Sequence, residues 1–149
     1  MPNYCENVLT VLGPEAAVQR FKKKAGRHWS RDGAEPAAQE EPQVLNFHSL
    51  VPVPTRVSAA TGFEAAEAWA KKNWGCKCDA VEPIIAEEHK GFLIYQFLTP
   101  WSPPIEFVQK AARQFPTLTF VLEYDEPGMR FKGIAKSHGK KHEDHCIEY

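Results

Sequence analysis

Apolar positions fall into two rhythms along this chain, and their alternation predicts strands and helices in turn. Residues 3–12 are rich in strand formers. Val8, Leu9, Val11 and Leu12 are close enough that both faces of this first strand are expected to be covered, or the strand to lie centrally. Gly13-Pro14 opens a helix whose buried face is Val18, Phe21 and Ala25, with Lys22, Lys23 and Lys24 in the last turn and Gly26 as its stop. After a stretch without periodicity, Leu45 to Pro54 reads as extended, because Pro52 and Pro54 exclude a helix there. Thr61-Gly62-Phe63-Glu64 has capping-box spacing and starts a second helix, with Phe63, Ala66 and Ala70 as its stripe and Gly75 as its end.

The densest apolar signal follows. Val81 to Glu87 reads as a strand placed at an edge or a bulge by Pro83. Leu93, Ile94, Tyr95, Phe97 and Leu98 make a buried strand that stops at Pro100. Ser102 is the expected cap of a third helix, with Pro103 in its first position and a core stripe of Ile105, Val108, Ala112 and Phe115. Leu118, Phe120, Leu122 and Tyr124 alternate with Thr119, Val121 and Glu123, the pattern of a half-buried strand. A turn at Asp125-Glu126-Pro127-Gly128 returns it through Met129 to Ala135.

This order predicts a split βαβ unit with an added hairpin strand. The fold class is α+β: a two-layer sandwich, with a ferredoxin-like antiparallel sheet and helices on one face. Residues 1–139 form the domain, residues 27–43 a surface insertion, and residues 140–149 a polar tail that contains histidines.

Composition changes this picture little. The chain has 149 residues, 43% hydrophobic and 25% charged, with a net charge of -1, which is ordinary for one globular domain and argues against bulk attraction to nucleic acid or anionic membrane. No apolar run reaches the length of a membrane span, and the first residues lack a basic segment ahead of their apolar run, so a cytoplasmic protein is expected. Four cysteines in such a setting are expected as thiols.

Several landmarks then coincide: Pro2-Asn3-Tyr4-Cys5-Glu6-Asn7, Phe47 to Pro54, Trp74 to Ala80, Thr99 to Pro104 and Phe131-Lys132-Gly133. In this order they resemble the YubB-like, Api-type family with a ferredoxin-like domain, found on plasmids and bacteriophages. The resemblance implies the fold and a bacterial mobile-element setting. It implies no reaction and no catalytic residues. In one place the chain departs from the family pattern. Cys76 and Cys78 stand where relatives carry threonine and a second tryptophan, so thiols replace the aromatic wall expected beside Lys77 and Asp79.

Candidate chemistry is sparse. No phosphate-binding glycine loop, nucleophile elbow or zinc-protease helix occurs. Cys76-x-Cys78 is a poor start for a tetrahedral metal site. His138, His142, His145 and Cys146 are the densest set of ligand types; on a helix His138 and His142 would share a face, and so would His142 and His145. No cofactor is expected. The aromatic and polar residues Trp74, Lys77, Asp79 and Trp101, with Trp29 of the insertion, make a candidate interaction surface whose expected partner is another protein. That reading makes the chain a non-enzymatic phage or plasmid accessory protein that modulates a host or defence protein. The alternatives are a nucleic-acid-binding module using Arg20, Lys22 to Lys24, Lys71, Lys72 and Lys77, and a metal-dependent enzyme built on the histidine tail.

Overall fold

The computed structural model describes residues 3–26, 43–60 and 62–149. Its frame is one six-stranded antiparallel sheet in the order β2-β3-β1-β4-β5-β6. The strands are β1 (Tyr4–Leu12), β2 (Val81–His89), β3 (Phe92–Pro100), β4 (Thr119–Glu126), β5 (Phe131–His138) and β6 (Lys141–Glu148). The helices are α1 (Glu15–Ala25), α2 (Phe47–Leu50), α3 (Thr55–Ala60), α4 (Gly62–Asn73) and α5 (Ile105–Gln114). The first four strands with α1 and α5 make the split βαβ unit, and β5 and β6 extend it by hairpins.

Register decides what each face carries. Leu9 lies opposite Tyr95 on one side and Leu122 on the other, so all three point to the same face. That face holds Cys5, Asn7, Leu9 and Val11 of β1, Leu93, Tyr95 and Phe97 of β3, and Phe120, Leu122 and Tyr124 of β4, all buried. Phe21 of α1 sits at its centre, edge-on to Tyr95, Phe115 and Phe120. Phe107, Val108, Ala111 and Ala112 of α5 complete the layer. The helices therefore cover the face that carries Tyr95 and Phe97, as the apolarity around them predicts. The other face, with Glu6, Glu123, Lys132 and Lys136, is open.

The edge β2 matches its proline. Its pairing with β3 is interrupted twice, and Glu82 beside Pro83 takes a left-handed φ of 49°. Four expectations are corrected. Residues 47–50 are helical rather than extended, because two side chains cap that turn: Asn46 accepts from the Ser49 amide, and Asp79 accepts from Phe47 and His48. On α4, Ala70 is buried but Phe63 is 79% exposed; only the last turn reaches the body, and Trp69 and Trp74 make that contact. The third helix starts at Ile105 without a side-chain cap, since the Ser102 hydroxyl donates to the Gly75 carbonyl instead. The polar tail is strand β6, in register with β5 from His138↔Lys141 to Phe131↔Glu148.

The return strand runs on through Gly133, which lies in mid-strand and leaves room for the Tyr124 ring. Most of the insertion, Trp29 included, lies outside the described residues. So does Thr61 of the capping box.

Candidate functional site

The predicted surface residues converge on one corner of the molecule, where α4 ends, β3 ends and α5 begins. They do not play one role there. Trp74 follows the last turn of α4 and is only 4% exposed. Its indole N–H donates to the Val51 carbonyl at 3.0 Å, and its carbonyl accepts from the Phe107 amide at 3.1 Å. Its ring meets Phe47 and Trp69 edge-on, at 5.7 and 5.3 Å. Trp74 is a core residue, which corrects its place in the expected surface. Burying this large ring against other aromatics outweighs leaving it in water.

Asp79 is half-buried, and its carboxylate is committed to the backbone. Its carboxylate accepts from the amides of Phe47 at 2.6 Å, Ala80 at 2.8 Å and His48 at 3.1 Å. Burial pushes its pKa up, and the three amide bonds act against that shift. The carboxylate thus ties the 74–80 run to α2, and its oxygens are committed to backbone amides. Cys76 is fully buried and donates to the Cys78 carbonyl, and burial pushes both thiols above their ordinary range.

Trp101 differs. It is 42% exposed and has a φ of +67°, a conformation that a bulky residue rarely adopts. The Ser102 amide donates to the Pro100 carbonyl at 2.8 Å across it, the two-residue span of a γ-turn. The surrounding structure enforces this turn. The Trp101 amide donates to the Asn3 carbonyl at 2.9 Å. Thr99 donates its hydroxyl to the Ser102 carbonyl at 2.7 Å and is itself held by the Asn7 amide nitrogen at 2.9 Å. The Ser102 hydroxyl reaches the Gly75 carbonyl at 2.7 Å. Such a backbone costs about 1–3 kcal/mol and persists only where neighbours over-determine it.

Beside this turn lies a pocket of about 300 Å³ lined by Glu67, Lys71, Lys77, Pro100, Trp101 and Ser102. Of the predicted set, Trp101 and Lys77 therefore share a surface site. Glu67 joins them without having been singled out. Its signal was present: Glu67 and Lys71 stand four apart and share a face of α4. Neither lysine is in an ion pair among the described residues, where the one ion pair joins Lys22 to Glu88 at 2.8 Å.

The other candidates do not assemble. Lys22 is engaged by Glu88, and Lys24 by Gln114, so the lysine run on α1 is tied to its neighbours. His48 accepts from the Val53 amide through Nδ1, a structural role. In strand β6 the side chains alternate. His142 and Cys146 lie opposite Ser137 and Gly133, whereas His145 and His138 belong to the open face with Ile134. The strand thus separates what a helix would have gathered, and the described residues hold no group of three or more metal-ligating side chains. No helix among the described residues is long and apolar enough to cross a membrane.

Comparison with known proteins agrees with the fold. The family described as "Ferredoxin-like domain in Api92-like protein" matches residues 83–149, from β2 to the end of the chain. The crystal structure of protein api92 from Yersinia pseudotuberculosis superposes with a TM-score of 0.73 at 10% sequence identity, over 100% of this chain and 98% of that one. No curated protein matches the chain. Residues 83–149 are therefore similar to the Api92-like family of ferredoxin-like domains, and the chain as a whole shares the fold of api92.

Proposed function

We propose that the protein is a non-enzymatic interaction module that binds another protein through the corner formed by Trp101, Lys77, Glu67 and Lys71. One observation carries this reading: Trp101 is held in a strained left-handed turn and is 42% exposed. A glycine would make the same turn without strain, and a packed core gains nothing from an exposed indole. Strain kept at an exposed aromatic has a physical rationale if the ring meets something else. Aromatic rings with flanking cations are also the residues that dominate protein contacts. Burial pushes both thiols at this corner up, away from the reactive thiolate form.

The resemblance to plasmid and bacteriophage proteins supports a setting in which the module is a mobile-element accessory protein acting in the bacterial cytoplasm on a host or defence protein. The test is capture of partners from bacterial lysate on immobilised protein, with Trp101→Ala and Trp101→Gly as controls. A specific protein should be retained by the wild type and lost from both variants. Retention unchanged by the substitutions, or retention of nucleic acid alone, rejects the proposal.

A further inference from the structure

The pocket beside Trp101 has a chemistry of its own, and it narrows what a partner can offer there. Its donors are the ammonium groups of Lys71 and Lys77 and the Trp101 indole N–H, none of which is engaged by a hydrogen bond or ion pair among the described residues. The Ser102 hydroxyl is already committed to Gly75. The one charged acceptor is Glu67. The apolar wall is the Trp101 ring with Pro100. A site with several free donors, one acceptor and an aromatic plate is matched by a ligand group rich in acceptors that stands next to an apolar one.

Resting on the interaction reading above, we infer that this pocket takes an acidic side chain of a partner's peptide segment. The carboxylate sits with Lys71 and Lys77, and an adjoining aliphatic or aromatic side chain lies on the Trp101 ring. Glu67 fits a peptide in particular, because a carboxylate can accept a backbone N–H, which an extended peptide supplies. The same Glu67 opposes a nucleic-acid strand, whose charge is continuous. One aromatic ring also falls short of the stacked platforms that bind single strands. Of the other lysines, Lys22 is paired with Glu88 and Lys110 donates to Asn73.

The experiment uses the full chain and defined probes. Fluorescent capped hexapeptides of alternating glutamate and leucine, alternating glutamine and leucine, and alternating lysine and leucine are titrated at low and moderate salt, beside a single-stranded oligothymidylate. The glutamate peptide should bind about tenfold tighter than the glutamine peptide, and this preference should shrink with salt. The pair Lys71→Glu, Lys77→Glu should abolish the preference, and Glu67→Gln should tighten the glutamate peptide a few-fold. Circular dichroism confirms that each variant is folded.

Equal affinity for the glutamate and glutamine peptides, no measurable binding of the glutamate peptide at millimolar concentration, or tighter binding of the oligonucleotide overturns the inference. If that happens while Trp101→Ala still removes a captured protein, the carboxylate specificity fails alone. If Trp101→Ala changes neither peptide binding nor capture, the interaction reading fails with it.

Discussion

Trp74 and Trp101 stand at the same corner, and the chain treats them in opposite ways. Trp74 has its indole N–H bonded and its ring enclosed by aromatics. Trp101 has a strained backbone and a partly exposed side chain. The first is held by its side chain, the second by everything around its main chain. The contrast teaches that a cluster of one residue type can divide between stability and contact. What separates them is where the surrounding hydrogen bonds end.

The largest expected effect falls on the enclosed ring. Trp74→Ala should cost about 3–5 kcal/mol of stability, the range for removing a buried aromatic, and chemical denaturation measures it. A loss under about 1 kcal/mol would mean that the ring is not core. Asp79→Ala comes next. It strips three amides of their acceptor, and losses of about 1–3 kcal/mol are expected, with α2 loosening first as seen by amide exchange.

Trp101→Gly should move the other way: stability unchanged or raised by about 1 kcal/mol, because glycine relieves the left-handed strain. Partner binding should be lost in the same variant. A marked destabilisation would show that the exposed ring packs after all.

The smallest effect sharpens the contrast without changing stability at neutral pH. Cys76 lies in the enclosed part of the corner and Cys146 on the exposed strand. A thiol reagent at pH 8 should modify Cys146 first and leave Cys5 and Cys76 untouched until the protein unfolds. Burial pushes the Cys5 thiol from 9.0 to about 12. The folded state therefore favours the neutral thiol. Its contribution is full below pH 9, and is lost as the pH rises from 9 towards 12 and the unfolded chain ionises first. Rapid labelling of Cys76 in the native protein would place it at the surface.

Much of the fold could be read from local pattern. Leu118, Phe120, Leu122 and Tyr124 alternate in sequence and are buried together in the structure. Pro83 marked an edge strand that is indeed bulged. The stop at Pro100 and the buried face of α1 were equally plain. Strand β6 was not. Every residue in it is exposed, so it has no apolar period; pairing with β5 and the Tyr124 hydroxyl bond to Asp144 order it. The helical turn at Phe47–Leu50 was hidden for a related reason: the Asp79 carboxylate that caps it lies about thirty residues further along the chain.

The candidate site was half legible. Trp101 and Lys77 were visible as an aromatic and a cation near turns, and they do share a pocket. Trp74 and Asp79 looked the same on paper. Their burial depends on Val51, Phe47 and His48, which no spacing rule links to them.

By itself, the sequence determined which face of β4 turns inward, that β1 and β3 are central or buried strands, where the main breaks fall, and hence the α+β architecture, because alternation and proline act over a few residues. Only tertiary structure decided which tryptophan is enclosed and which carboxylate is spent on backbone amides. It also decided which lysines are unpaired among the described residues. Those outcomes depend on hydrogen bonds and ring contacts between distant segments, and no local pattern encodes them.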